Sequence, residues 1–238
     1  MILPTPSTPI YTTKLPSTGE TIKYRPFLVK DEKALFLAQQ SDDMGVMLDT
    51  LKTIIGSCIT TEIDIDRLAL FDVEYMFLQL RTKSVGEVIG LTFKCQSCND
   101  PKANTKVDID LSKIQVDTPP THKKNILLFD NTGVVMKYPS IDIINKFNVI
   151  GSDDMDSIFD IIYSCIDFIY SGEEMFYSKD INKKDFVQFV DNLTKEQFQH
   201  IKEFFETMPK LKHIVKYQCP VCSAINESEM VGLNAFFS

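Results

Sequence analysis

The sequence predicts an α+β protein, an antiparallel β module with two zinc-knuckle hairpins, packed with helices from the N-terminal and middle segments. Three observations carry that reading. Residues 87 to 94 and 213 to 218 have strand character, and each run leads directly into a Cys-x-x-Cys pair. Residues 30 to 82 and 141 to 208 instead space their apolar residues as helices do. Turn formers at Pro16-Ser-Thr-Gly19 and Asp130-Asn-Thr-Gly133 split further apolar runs into hairpins.

In chain order, residues 10 to 15 and 21 to 27 flank the first turn as a hairpin, with Pro26 at the end of its second strand, where proline is tolerated. Asp31 and Glu32 open a helix over residues 30 to 40, because acids favour a helix N-terminus. A second helix covers residues 44 to 55, with Met44, Met47, Leu48, Leu51 and Ile55 on one face. A third covers residues 68 to 82, with Phe71, Tyr75, Phe77 and Leu78 inward, and Asp64 and Asp66 precede it as helix-start acids. After the first cysteine pair, Val107, Ile109 and Leu111 alternate with Asp108 and Asp110 as a half-buried strand. Residues 112 to 124, with Pro119-Pro120, read as a linker. Residues 126 to 129 and 134 to 138 form the next hairpin.

Met155, Ile158, Phe159, Ile162, Cys165, Ile166 and Ile169 predict one long central helix, opened by Asp153, Asp154 and Asp156. A shorter helix follows over residues 184 to 193. Thr194 and Gln197 make a capping box for a helix bearing Phe198, Ile201, Phe205 and Met208, stopped by Pro209. The chain ends strand, cysteine pair, strand. The expected division is residues 1–111 for the hairpin, helices and first knuckle, 112–208 for an inserted linker, hairpin and helices, and 209–238 for the second knuckle that completes the β module.

Composition excludes several function classes. No apolar run approaches the ~20 residues that span a bilayer, and no signal peptide is visible, so a reducing cytoplasm is the expected setting. The net charge of −8 repels a phosphate backbone. The densest basic stretch, residues 210 to 216, is short and half apolar, which argues against a nucleic-acid partner.

The cysteines carry the chemistry. Each pair follows an aromatic residue two positions upstream, Phe93 before Cys95 and Cys98, Tyr217 before Cys219 and Cys222. Two residues between thiolates allow a tight turn that points both sulfurs one way, and two such turns complete a tetrahedron around zinc. The expected metal ligands are therefore Cys95, Cys98, Cys219 and Cys222. Zinc is the commoner occupant of four thiolates, with iron in the same geometry left open. A closed four-thiolate set leaves no open position, which favours structural over catalytic metal.

Residues 99 to 218 separate the pairs, and loop closure grows only logarithmically with length, so a folded insertion between them is tolerable. The position after each pair favours a left-handed backbone, which suits Asn99 better than Ser223. A thiol oxidoreductase would place Cys-x-x-Cys at a strand-to-helix junction, and these pairs sit between strands. Cys58 and Cys165 lie on apolar faces and read as core. His122, His200 and His213 fall in no catalytic or metal-spaced motif and read as surface residues. No glycine-rich phosphate loop is present, and no enzyme class emerges.

An ordered set of segments adds a resemblance: Leu15-Pro-Ser-Thr-Gly19, Tyr24-Arg-Pro-Phe-Leu-Val-Lys-Asp-Glu-Lys33, Asp72-Val-Glu-Tyr-Met-Phe-Leu-Gln-Leu-Arg81, Lys83-Ser-Val-Gly-Glu87, the C-terminal cysteine pair, and Gly232-Leu-Asn-Ala-Phe-Phe237. Together they resemble the baseplate proteins of T-even-type contractile-tailed phages, the small central-hub family. Residues 112 to 208 match only in helical character. The resemblance implies a non-enzymatic structural or assembly role, in the host cytoplasm during assembly, and leaves open whether the protein then stays in the virion tail baseplate or departs. The implied partners are other baseplate or tail hub proteins, with no small-molecule substrate and no membrane. The first hairpin and the Arg25 to Lys33 block are a candidate contact surface, with helix capping as the alternative for that block. The competing function is a zinc-ribbon nucleic-acid-binding regulator, which the acidic balance disfavours.

Overall fold

The structure, a computed structural model, describes residues 7–40, 44–98, 100–143 and 155–236. The chain divides into two compact units. One comprises Met1–Ile65, Phe71–Asp117 and Lys210–Ser238, and the other Asp66–Leu70 and Thr118–Pro209.

The first unit opens with a hairpin of β1 (Tyr11–Lys14) and β2 (Thr21–Tyr24), paired antiparallel. Its turn closes through Leu15 N–H to Glu20 O and Gly19 N–H to Leu15 O, and Gly19 supplies the positive φ of 72° that the turn requires. Helices α1 (Val29–Gln39), α2 (Met44–Cys58) and α3 (Leu70–Ser84) follow. Helix α3 presents Phe71, Phe77 and Leu78 to the core, and α2 presents Leu51, Ile55 and Cys58. The fully buried Asp72 accepts hydrogen bonds from the Ser17 amide and hydroxyl, which fastens the hairpin turn to α3.

The Arg25 to Lys33 block is occupied internally at its two most specific charges. Arg25 Nη1 lies 3.1 Å from Asp31 Oδ2 and also donates to Pro26 O, while Asp31 Oδ2 accepts the Leu28 amide at the start of α1. Desolvation acts to raise the Asp31 carboxyl, but the Leu28 amide and Arg25 outweigh it and hold the carboxyl below its ordinary value. Asp31 thus serves the start of α1, and Arg25 is paired with it.

Strands β3 (Val88–Lys94) and β4 (Asn104–Asp110) form a second hairpin. A three-stranded sheet, ordered β11-β10-β5, completes the unit from β10 (Lys210–Gln218), β11 (Ile225–Val231) and β5 (Gln115–Asp117). Residues 115 to 117, expected within a linker, are thus a strand paired with β10, because Val116 alternates with the polar Gln115 and Asp117.

The second unit is a four-stranded antiparallel sheet of consecutive neighbours, β6 (Asn125–Phe129), β7 (Thr132–Met136), β8 (Ile166–Ser171) and β9 (Glu174–Tyr177). Helices α4 (Met155–Ser164), α5 (Lys183–Asp191) and α6 (Lys195–Glu206) share its core, which includes Ile126, Val134, Ile162, Ile169, Phe186 and Phe204. The expected long central helix is corrected here: it stops at Ser164, and Ile166–Ser171 is a strand. That segment is rich in β-branched and aromatic residues and ends in a tight turn at Gly172, whose φ is 61°. Asp153 and Asp154 lie outside the described residues. The capping box forms as expected, with Thr194 Oγ1 accepting from the Gln197 amide and Gln197 Oε1 from the Thr194 amide.

His122, expected at the surface, is half-buried. Its ring packs against Tyr138 and Phe204, with centroids 5.6 and 5.1 Å away. Thr207 Oγ1 donates to Glu203 O, so it accepts from His122 Nδ1–H at 3.0 Å, and Nε2 is left to accept from the Tyr138 hydroxyl at 3.1 Å. The neutral ring satisfies both contacts, whereas an imidazolium would lose the second. Desolvation, with Lys124 adding to it, pulls His122 below its ordinary 6.5. The unfolded chain then binds the proton more readily, so stability is full above pH ~6.5 and declines as the pH falls toward the lowered value. Chemical denaturation across this range is expected to show that slope, and His122→Gln to flatten it.

Candidate metal centre

The two cysteine turns sit at the ends of two hairpins in the first unit. Cys95 and Cys98 follow β3, and Cys219 and Cys222 lie between β10 and β11. Each turn is closed by its own backbone. In the first, the Cys95 amide donates to Ala103 O at 3.0 Å and the Ser97 amide to Cys95 Sγ at 3.3 Å. In the second, the Cys219 amide donates to Ala224 O at 2.9 Å, and the amides of Val221 and Cys222 point at Cys219 Sγ from 3.4 and 3.5 Å. Ser223 takes the left-handed conformation, with φ of 58°, held by its amide on Cys219 O and by Gln218 Nε2 on its carbonyl. Asn99, the counterpart in the first turn, lies outside the described residues.

The hairpins are fastened to each other by groups flanking the cysteines. Phe93 and Tyr217, the aromatics two positions upstream, pack with ring centroids 5.1 Å apart. The Tyr217 hydroxyl donates to Lys94 O at 2.7 Å, and Thr105 Oγ1 donates to Gln218 O at 3.1 Å. Asn226, which is buried, accepts the Gln96 amide on Oδ1 at 2.9 Å and donates Nδ2 to Ala224 O at 3.0 Å, so one side chain ties both turns. Sequence reasoning missed Asn226. The one available signal was a polar residue on a strand immediately after the second pair, which is weak.

The structure brings all four expected sulfurs together. Cys95 Sγ lies 3.7 Å from Cys222 Sγ, Cys98 Sγ lies 3.8 Å from Cys219 Sγ, and all four fall within 4.8 Å of one another. These spacings are too long for disulfides and match the ~3.8 Å edge of a tetrahedron whose ligands stand ~2.3 Å from a central zinc. Four sulfurs so arranged could hold a metal ion.

The electrostatics fit the same chemistry. Desolvation works to raise the Cys95 thiol, but the amides of Ser97 and Cys98 and the neighbouring thiols bring it down to about 6. At Cys98 the Asp100 amide works downward, yet desolvation and the other three cysteines push the thiol up to about 12. Without a cation, the group accommodates one thiolate readily and resists the next, because like charges this close repel. A divalent ion removes that conflict. Cys58 and Cys165 are buried elsewhere and take no part. Among the described residues, no helix is long and apolar enough to cross a membrane.

A family model described as T4 bacteriophage base plate protein matches residues 8–238. Neither the curated proteins nor the solved structures gave a match. With the match running over nearly its whole length, the chain belongs to the T4 bacteriophage base plate protein family.

Proposed function

We propose that this chain is a non-enzymatic structural or assembly protein of the tail baseplate hub, with a structural zinc bound by Cys95, Cys98, Cys219 and Cys222. The observation that carries the reading is the closed set of four sulfurs in a protein of a baseplate family. A tetrahedral site filled by four thiolates has no position left for water or substrate, so its contribution is to hold the surrounding surface in one geometry. The two turns act as zinc knuckles that join the segment ending at Asp117 to the one beginning at Lys210, and residues 118–209 form the insertion between them. The partners are other baseplate or hub subunits, met first in the host cytoplasm during assembly.

Two measurements test this. Metal analysis of the purified protein is expected to return one zinc per chain, and iron in its place would keep the site and change its occupant. Quantitative mass spectrometry of mature virions and of tail-assembly intermediates is expected to find peptides of this chain. Stoichiometric copies in virions make it a hub component, and presence in intermediates alone makes it an assembly factor. Absence from both sinks the hub reading.

Asn226 supplies a finer prediction. It orients the Gln96 amide beside Cys95 and the Ala224 carbonyl beyond Cys222. Outer-shell partners of this kind typically change metal affinity by 10–100-fold. Asn226→Ala is expected to weaken metal retention by at least roughly tenfold in a chelator competition. Unchanged retention would reduce Asn226 to a packing role.

A further inference from the structure

Resting on the metal reading above, we propose that the four-sulfur centre is also an oxidation site. Hydrogen peroxide, or another two-electron oxidant of its class, joins Cys95 to Cys222 and then Cys98 to Cys219, so covalent staples replace the metal between the two hairpins.

The close sulfur–sulfur contacts link partners on different hairpins. Cys95 Sγ lies 3.7 Å from Cys222 Sγ, and Cys98 Sγ lies 3.8 Å from Cys219 Sγ. A disulfide spans ~2.05 Å, so each pair must close by roughly 1.7 Å, which side-chain rotation and a small shift of two turns can supply. The contacts that keep these partners opposite each other do not involve the metal. Phe93 packs on Tyr217, the Tyr217 hydroxyl donates to Lys94 O, Thr105 Oγ1 donates to Gln218 O, and Asn226 Oδ1 accepts the Gln96 amide. Every one of them runs between the hairpins, so departure of the ion leaves Cys95 facing Cys222.

Exposure sets the order of events. Cys222 is the exposed member of the set, Cys95 and Cys98 are half-buried, and Cys219 is buried. Cys222 Sγ accepts one amide, from Ala224. Cys219 Sγ accepts those of Val221 and Cys222, and Cys95 Sγ those of Ser97 and Cys98. Amide hydrogen bonds draw charge off a thiolate and make it a poorer nucleophile. Oxidation therefore starts at Cys222.

The electrons balance with the oxidant alone. The Cys222 thiolate attacks the peroxide O–O bond, which gives Cys222 sulfenic acid and hydroxide. The Cys95 thiolate then attacks the sulfenic sulfur, forming the S–S bond and expelling a second hydroxide. The two sulfurs lose two electrons in all, peroxide takes them up, and solvent neutralises the hydroxides. Two thiolates are too few to retain the ion, so Cys98 and Cys219 are freed for the second pair. A chain assembled in a reducing cytoplasm and carried out of it meets the required conditions on release. The first cross-link joins residues 127 positions apart, and long loops gain most from closure.

Peroxide titration of the purified full chain tests the proposal, with a colorimetric zinc indicator and disulfide mapping by mass spectrometry read on the same samples. The first equivalent is expected to give Cys95–Cys222 and release the metal, and the second to give Cys98–Cys219. A brief pulse of N-ethylmaleimide on the metal-loaded chain is expected to label Cys222 at least about tenfold faster than Cys219. In chelator, the doubly oxidised chain is expected to melt roughly 10 °C above the reduced chain. Pairing within the turns as the main product, Cys95 with Cys98 or Cys219 with Cys222, overturns the proposal. So does labelling of Cys219 as fast as that of Cys222. A purified chain without metal sinks the metal reading instead, and the mapping then decides the pairing by itself.

Discussion

Cys219→Ser is expected to strip the metal and lower the melting temperature of the unit that holds the cysteines by roughly 10 °C. Cys219 is the most buried of the four sulfur-bearing residues, at 2% exposure, and accepts two backbone amides on its sulfur. A serine hydroxyl keeps the turn but is a poor substitute for a thiolate toward a thiophilic ion. A ligand bound only by the folded state stabilises it by about 4 kcal/mol at a thousandfold excess over its dissociation constant, and each kcal/mol moves the melting point of a chain this size by roughly 2–4 °C. The hairpins keep the Tyr217–Lys94 and Thr105–Gln218 hydrogen bonds, so the variant is expected to fold more loosely and not to lose its fold. Scanning calorimetry with metal analysis checks this, and Cys58→Ala, outside the cluster, is the control that should retain metal. If Cys219→Ser and its parent melt alike and neither contains metal, the site does not exist.

Phe204→Ala is expected to destabilise the second unit by about 3–5 kcal/mol. Phe204 is 2% exposed and lies at the meeting point of three rings, with His122, Tyr138 and Phe205 centroids at 5.1, 5.8 and 5.1 Å. Truncation loses the transferred ring and leaves a void that the stacked Tyr138 and His122 cannot close without giving up the Thr207 and Tyr138 hydrogen bonds. Denaturant unfolding monitored by near-ultraviolet circular dichroism should show the loss, and Phe204→Leu should recover much of it. Metal content should be unchanged, since every ligand belongs to the first unit. A cost below ~1 kcal/mol would mean that the cluster is already loosely packed.

Much of this was legible in the sequence where a local rule had a local cause. The first hairpin, the three early helices and the Thr194–Gln197 capping box each follow from residues within a few positions of one another. The cysteine cluster was legible across 121 positions because two identical spacings in identical strand settings constrain each other. The segment from Cys165 to Ile169 was misread as helix, since a short apolar run satisfies both periods and only the Gly172 turn beyond it decides. Strand β9 was not expected, because all four of its residues are exposed and it shows no buried alternation. His122 and Asn226 were missed for a different reason. Their roles depend on Thr207 and Gln96, partners 85 and 130 positions away, which no single-sequence pattern reports.

The pairing of Lys210 with Asp117 has a consequence for the order in which the molecule is made. The second unit leaves the first at residue 118 and rejoins it at 209, where the flanking residues are neighbours in one ladder. On the ribosome, Cys98 emerges 121 positions ahead of Cys219, a delay of roughly 6–24 s at about 5–20 residues per second. For most of that interval β5 has no β10 to pair with, and the first cysteine turn holds only two of the four sulfurs. The last stretch of the chain therefore closes the sheet and gathers the four sulfurs in one event, so a translation product cut short anywhere before Cys219 cannot acquire the finished surface.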